Sequence, residues 1–448
     1  MKIAALILGI IGGLSALTIG AYGYALGNLF VFVSGGNFGS SIVAASVLLP
    51  VLALVGAAIV LTHPIPAAIL LIGSSAGIAG ILGLNFLSVT AVLLLAIAGG
   101  TAILSVILED QRPTLPAVST ANFWLIAGVV GLVILVLTRV FFTNEYFFFA
   151  AYVVLQYIVL STAWNINGGY TGYTNFGTAA FFALGAYTAV VLHKTTAVPL
   201  PLMIVAGGAV SGIVGLGMGY LTLRLRGVFF AIATLAMAIV VQTLIVNWDY
   251  VGGSRGIYII RPQQAPLVGS YIQYLYSLML IMAVLSVGIA RTIERSRLGL
   301  GFAAIRDDEQ AAEAGGVPTL RLKLIATTLS GAMMGMAGAP LPYYVTYLDP
   351  ASSFNLAYAV NSVAMPVIGG MTSWIGPVIG AVLLGTIQQI ATVTISSALN
   401  LLIVGLLLIF FVIIAPNGIV GLVQELRRLG EGGRRAKAPA PNVKAKAG

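Results

Sequence analysis

Gly227-Val-Phe-Phe-Ala-Ile-Ala-Thr-Leu-Ala-Met-Ala-Ile-Val-Val-Gln-Thr-Leu-Ile-Val-Asn-Trp248 contains no charged side chain. A helix of this length reaches about 33 Å at 1.5 Å per residue, enough to cross a hydrocarbon core of about 30 Å. Arg224 and Arg226 stand before it and Asp249 after it, so the two ends of the run differ in charge sign. The same ruler, moved outward in both directions, marks candidate spans near 4–30, 41–62, 65–84, 86–108, 123–142, 146–163, 177–193, 200–223, 271–290, 324–343, 357–371, 375–394 and 398–415. With 227–248 that makes about 14 spans. Those at 177–193 and 357–371 are short or broken by glycine, as tilted or re-entrant helices are. The first span follows Lys2 and far exceeds the ~7–15 apolar residues of a signal-peptide core, so it reads as retained.

Composition requires the same solvent. Of 448 residues, 59% are hydrophobic and only 7% charged, with a mean hydropathy of +1.06. A water-soluble surface needs roughly 25% charged residues, so the apolar excess belongs in lipid, and the fold class is an all-α polytopic transmembrane bundle. The 54 glycines let helix backbones approach closely in lipid. With no cysteine, disulfides and thiolate metal sites are excluded, and His63 and His193 alone make a zinc or haem centre an unpromising expectation. The formal charge of +9 does not point to nucleic acid, because the basic residues sit at span ends and in the tail.

Those basic residues set the orientation. The largest connection, 291–323, carries Arg291, Arg295, Arg297, Arg306, Arg321 and Lys323, which assigns it to the cytoplasm. Counting spans from there puts Lys2, Arg112, Arg224, Arg226 and the tail on the same side, so both termini are expected inside. Glu145, Asp249 and Asp349 then fall outside, with Lys194, Arg255 and Arg261 as exceptions. The chain divides into an apolar leader of extra spans (1–108), a polar cytoplasmic linker (109–122), a main membrane body (123–424) and a basic tail (425–448) expected to be disordered.

The spans contain no acidic residue and, Arg139 apart, no basic residue near a centre. Proton- and sodium-coupled carriers keep carboxylates at membrane depth to hold the coupling ion. No G-x-x-x-x-G-K-[ST] phosphate loop is present either. Uphill movement of a solute would therefore draw its energy from a separate protein; a passive channel is the alternative.

In the loop 298–323, residues 301–314 favour a helix, with Ala303, Ala304, Ala311, Ala312 and Ala314 set among Arg306, Asp307, Asp308, Glu309 and Glu313. Gly315-Gly316 stops it, Pro318 forbids continuation, and Thr319 is a candidate cap for the next helix. Such a helix suits a groove on a soluble partner, and it equally suits a solvated connector; the residues alone leave both readings open.

At 164–189, Asn165, Asn167, Thr171, Thr174, Asn175 and Thr178 place amides and hydroxyls beside a glycine-rich backbone. Irregular backbone at membrane depth survives only where protein or a water-filled cavity satisfies it, which makes the segment a candidate lining for a polar solute's path. A turn followed by tight helix packing through Gly177 and Gly185 is the other reading.

Several stretches resemble the LivM-type branched-chain amino acid permeases of ATP-binding cassette importers. Arg295-Ser296-Arg297-Leu298-Gly299, Ala304-Ile305-Arg306, Ala311-Ala312-Glu313 and Gly316 match their cytoplasmic EAA loop in order and spacing. Residues 169–187 resemble the family's G-Y-T-G-x-x-x-x-G-H-A-A-F-F signature, with Thr178 where a histidine is usual. Leu223–Ala236, Asn247–Gly256 and the Gly369-Gly370 to Ala381 element resemble three further segments, the first of which adds Thr234 to the path candidates. The likeness covers about 123–420 and leaves the leader outside. It implies that Ala304, Arg306, Asp307, Glu309, Ala311, Ala312, Glu313 and Gly316 couple to an ATPase. It implies a LivH-like second permease, two LivG/LivF-like ATPases that bind ATP and Mg, and an extracytoplasmic solute-binding protein, with no cofactor and no catalysis in this chain. Branched-chain amino acids are the implied cargo, and urea, short amides and aromatic acids are the alternatives. The implied location is a bacterial or archaeal inner membrane. Small-xxx-small spacings at Gly208/Gly212, Gly215/Gly219, Gly331/Gly335 and Gly376/Gly380 predict close helix contacts, and the segments 168–187 and 369–385 faintly echo each other.

Overall fold

A computed structural model describes residues 37–60, 64–81, 120–141, 144–196, 198–222, 225, 227–262 and 269–394, with isolated positions within 5–16, 91–102 and 402–422. The expected span at 398–415, most of those at 4–30 and 86–108, most of the linker, Arg224, Arg226 and the tail beyond 425 lie outside the described residues. The chain forms two compact units, residues 1–118 and 119–448, and each is described by itself.

In the first unit, α1 (Asn37–Ile59) and α2 (Pro64–Ile81) fall on the second and third expected spans. Ala53 and Ala57 of α1 pack with the larger Leu71 and Ile78 of α2, and with Ala91 and Leu95. The Ser75 hydroxyl donates to the Val92 carbonyl at 2.9 Å. Short side chains allow this close approach where lipid provides no hydrophobic drive between helices.

The second unit is a helical bundle. It comprises α3 (Thr120–Phe141), α4 (Glu145–Thr171), α5 (Thr178–Thr195), α6 (Leu200–Thr222), α7 (Val228–Val246) and α8 (Tyr271–Glu294). Two short helices, α9 (Arg297–Asp307) and α10 (Glu309–Ala314), lead into α11 (Thr319–Gly338), α12 (Leu341–Val345), α13 (Pro350–Ser353), α14 (Leu356–Gly369) and α15 (Gly376–Thr394). The only strands among the described residues are β1 (Ile257–Tyr258) and β2 (Tyr347–Leu348), paired antiparallel. Five helices among the described residues are long and apolar enough to cross a membrane: α4, α6, α7, α8 and the continuous 319–345 segment. α14 rises only about 21 Å, too little to cross alone, which fits the short element expected at 357–371.

α4, α5 and α11 occupy the centre, and α3, α6 and α7 turn large apolar side chains outward. Leu125 is 68% exposed, Ile213 70% and Phe229 70%, a surface compatible with lipid and not with water. Glycine sets the central spacing. A Cβ on Gly185 of α5 would overlap the Gly335 carbonyl of α11, and one on Gly335 would overlap Ser211 of α6. The predicted contacts at Gly208, Gly212, Gly331, Gly335, Gly376 and Gly380 are all present within the chain.

Three local expectations change. Residues 164–171 are helical: α4 runs through Gly168-Gly169 and ends at Gly172, whose φ of 78° supplies the left-handed C-cap. Both glycines are needed: a Cβ on Gly168 would run into the Trp164 ring, and one on Gly169 into Asn165 Oδ1 and the Met371 carbonyl. The expected single helix at 301–314 is broken at Asp308, which turns extended (φ −159°, ψ 107°) and caps α10 by accepting from Gln310 N and Ala311 N. Thr319 is the first helical residue and not the cap, a position held by Pro318.

Candidate functional site

The helices that carry the basic connection and the polar 164–178 segment meet at one end of the second unit. Ser296 starts α9 by accepting from Leu298 N at 3.1 Å and Gly299 N at 3.4 Å. Gly299 has to be small, since a Cβ there would press on the carbonyls of Ile293 and Glu294. Phe302 and Ile305 turn inward and are buried, and Arg306 packs over the turn at Gly172, 3.2 Å from where a Cβ would stand. α9 and α10 thus form a bent hairpin clamped onto the end of α4.

The eight residues that the sequence groups as one coupling surface divide by burial. Asp307, Ala311, Glu313 and Gly316 are exposed, and Arg306 forms a 3.2 Å ion pair with Asp307 on that outer side. Ala304 is half-buried, Ala312 is buried, and Glu309 points into the protein. Leu300, 72% exposed, adds an apolar side chain to the open face.

Glu309 leads to the polar segment. Its Oε1 lies 2.7 Å from Lys323 Nζ of α11, and its Oε2 accepts from the Tyr173 hydroxyl. Lys323 also donates to that hydroxyl at 3.2 Å and stands 4.7 Å from the centre of the Tyr173 ring. The ring packs edge-on against Phe230 of α7 at 5.2 Å. One tyrosine in the 172–177 turn therefore joins the hairpin, α11 and α7. A second connection runs through Glu294 at the end of α8, whose Oε2 accepts from Trp374 N at 2.7 Å and from the Tyr170 hydroxyl at 3.3 Å. Arg291, one turn earlier, lies 4.1 Å from the Phe123 ring and 5.1 Å from that of Trp374.

Above the turn, Asn165, Asn167, Thr171, Asn175, Thr178 and Thr234 are all buried, and Thr174 is half-buried. Some of these groups serve the fold. Asn175 accepts from Gly177 N at 2.7 Å and, through its carbonyl, from Trp164 Nε1 at 2.7 Å. Thr234 accepts from Phe176 N at 3.0 Å, and Thr171 bonds back to the Asn167 carbonyl. Others are left over: Asn165 Oδ1, Asn167 Nδ2, Asn175 Nδ2 and Thr178 Oγ1 are buried with no protein partner, as are the hydroxyls of Thr162 in α4 and of Thr328 and Ser330 in α11. Buried polar atoms are nearly always paired, so these leftover groups call for partners other than protein, such as water. Among the described residues no group of three or more His, Asp or Glu could hold a metal ion.

The family described as "Branched-chain amino acid transport system / permease component" matches residues 146–412. The chain belongs to this family. Among curated relatives, the high-affinity branched-chain amino acid permease LivM of Salmonella typhimurium is 28% identical over 63% of this chain and 72% of its own length. LivM of Escherichia coli is 26% identical over 72% of this chain and 81% of its own. The probable permease LivH of Methanocaldococcus jannaschii is 25% identical over 58% and 87%. No solved structure matches. As a branched-chain permease family member, the chain is a multi-pass helical membrane protein with a permease role.

Two groups escape a reading of the sequence. Tyr173 lies inside a quoted motif but carries no signal that its hydroxyl meets the loop. Asn361 and Gln388, isolated amides in apolar stretches, form a buried chain: Gln388 Nε2 donates to Asn361 Oδ1 at 2.9 Å, and Asn361 Nδ2 donates to the Tyr157 hydroxyl at 3.1 Å. A lone amide in an otherwise apolar span is the signal that could have found them.

Proposed function

We propose that the chain is a membrane-spanning subunit of an ATP-binding cassette importer that carries branched-chain amino acids into the cytoplasm. The observation behind this reading is the buried link from the exposed α9–α10 hairpin, through Glu309, Tyr173 and Lys323, to the unpaired amides at the end of α4. A push on the hairpin has a bonded route to groups that could meet a polar solute. Asp307, Ala311, Glu313, Gly316 and Leu300 form the face that docks an ATPase, while Arg306, Glu309 and Ala312 hold the hairpin to the bundle. The hairpin end lies in the cytoplasm, as its arginines require. A LivH-like second permease, two ATPases that bind ATP and Mg, and an extracytoplasmic solute-binding protein complete the importer in a bacterial or archaeal inner membrane. Residues 1–108 are extra spans outside the transport core.

Within this chain the work is mechanical. Closure of the ATPases displaces the hairpin, α11 and the 172–177 turn follow, and the amides of Asn165, Asn167 and Asn175 trade partners with solute or water. Neutral amides and hydroxyls along this route also suit urea or a short amide, which is the second reading. The test is reconstitution of the assembled complex in vesicles. Labelled leucine should accumulate only while ATP is hydrolysed, and excess urea or acetamide should not compete. Accumulation without nucleotide overturns the importer reading, and effective competition by acetamide replaces the cargo.

A further inference from the structure

We propose that the corner where α3, α8 and the 370–375 connection meet binds the phosphate of an anionic glycerophospholipid through Arg291. This arginine is only 9% exposed, although it stands in the last turn of α8. Its guanidinium lies in the angle between two rings that meet edge to face, 4.1 Å from the centre of Phe123 and 5.1 Å from that of Trp374. The rings shield the cation from water and leave its in-plane N–H donors without acceptors. Arg291 makes no hydrogen bond and no ion pair among the described residues. A guanidinium held this way is pre-organised to give two parallel bonds to a phosphate.

The charge of this corner is not balanced within the protein. Glu294 and Arg295 are both near enough to act on Arg291, the first attracting it and the second repelling it. Glu294 Oε2 is already engaged by Trp374 N and the Tyr170 hydroxyl. Arg297 follows at the first position of α9, exposed and at the helix end where a cation is disfavoured. Three arginines against one carboxylate between 291 and 297 leave the corner positive.

The surroundings choose the source of the phosphate. Trp124 of α3 donates from Nε1 to Thr292 Oγ1 at 3.2 Å, and its ring fills the space that a Cβ on Gly288 would need. The first turn of α3 is thereby seated against α8 beside Arg291. From Leu125 and Ile126 onward α3 turns an apolar face outward as far as Leu137. Phe123, Trp124 and Trp374 thus gather at the end of a lipid-facing helix, the level at which aromatic rings and headgroups lie together. Acyl chains can follow α3 while the phosphate reaches Arg291. A free phosphate would use the arginine alone, and a side chain of a docked ATPase would gain nothing from α3. A zwitterionic headgroup would set its own ammonium among the arginines, whereas a net-negative headgroup meets a matching field. The leaflet follows from the orientation proposed above; the ligand class rests on the corner itself and does not need the importer reading.

Trp124 and Trp374 are reporters already in place. Trp248→Phe in the full-length chain removes the exposed tryptophan at the far end of α7, and Trp164 is buried inside the bundle. This parent protein is held in phosphatidylcholine nanodiscs that contain a minor fraction of brominated lipid, a short-range quencher of tryptophan. Brominated phosphatidylglycerol should quench with an apparent affinity about fivefold above that of brominated phosphatidylcholine, the gain expected from one arginine at a membrane surface. Arg291→Gln should abolish the preference, and Arg291→Lys, which keeps the charge without the planar fork, should retain part of it. Unchanged elution and thermal unfolding check folding. Arg295→Gln, at an exposed position, should lower the preference about twofold and decides the matter if the Arg291 variants do not fold. Equal quenching by the two lipids in the parent protein, or an undiminished preference in whichever glutamine variant folds, overturns the site. Relief of quenching by inorganic phosphate would make the ligand a free anion, and relief by added ATPase subunits would give the corner to a protein; either result overturns lipid binding. The measurement uses neither nucleotide nor solute, so failure of ATP-driven uptake would sink the importer reading and leave this site standing.

Discussion

Lys323 Nζ lies 2.7 Å from Glu309 Oε1, with the two side chains only 4% and 13% exposed. This pair ties α10, outside the bundle, to α11 at its centre. The partners are not equivalent. Both partners keep the Tyr173 hydroxyl when the other is lost, but the half-buried Glu309 also keeps some access to water, whereas the more deeply buried ammonium loses its carboxylate. Breaking a buried pair from that side costs about 3 kcal/mol, against about 1 kcal/mol for loss of an ordinary hydrogen bond. Glu309→Gln should therefore lower thermal stability in nanodiscs more than Lys323→Met. The double variant should recover most of the loss. Equal effects of the two single changes would contradict this asymmetry.

Tyr173→Phe isolates one atom of the same junction. The ring keeps its edge-on packing against Phe230 and its place beneath the Lys323 ammonium, while the hydroxyl that bonds Glu309 and Lys323 is removed. Stability should fall by about 1 kcal/mol. If the hydroxyl carries displacement from hairpin to turn, solute-stimulated ATPase activity in the complex should fall severalfold while basal hydrolysis stays level. A parallel drop in both rates would reduce the tyrosine to a packing role.

Glu313 is exposed on α10, one helical turn after Glu309. Surface changes of this kind usually alter stability by less than about 0.5 kcal/mol. Glu313→Lys should leave unfolding unchanged and stop ATP-driven uptake by reversing the charge of the docking face. Normal uptake by this variant would remove Glu313 from that face.

The bundle was legible in the sequence because lipid imposes one rule on every span: about 20 apolar residues, whatever the neighbours. The short element before Gly369-Gly370 and the close contacts at Gly331 and Gly335 were readable for the same reason, from lengths and small side chains. Asp308 was not. The helical propensity of 301–314 favoured one helix, and an aspartate able to cap from the extended conformation divided it. Nor was the end of α4. Asn165, Asn167 and two glycines read as irregular backbone, but the glycines make room for the Trp164 ring and the Met371 carbonyl inside a continuous helix. The inward turn of Glu309 was hidden because charge spacing on a loop does not tell which carboxylate finds a buried lysine 14 positions away.

The amide chain of Tyr157, Asn361 and Gln388 gives the last prediction, because it separates a structural hydrogen bond from a functional one. It joins α4, α14 and α15 well inside the bundle, and Asn361 is 7% and Gln388 5% exposed. Interhelical hydrogen bonds in membrane proteins contribute about 0.6 kcal/mol on average and about 1.7 at most, since the helices find other partners when apart. A double-mutant cycle of Asn361→Leu and Gln388→Leu should give a coupling energy in that range. α14 is too short to cross the bilayer alone, so its position depends on such lateral bonds more than that of a full span does. Tyr157→Phe removes only the terminal acceptor and should cost less than either leucine change. Uptake should follow stability across the series if the chain only holds α14 in place. Loss of uptake in Gln388→Leu with an unchanged melting temperature would instead put this amide on the solute's route.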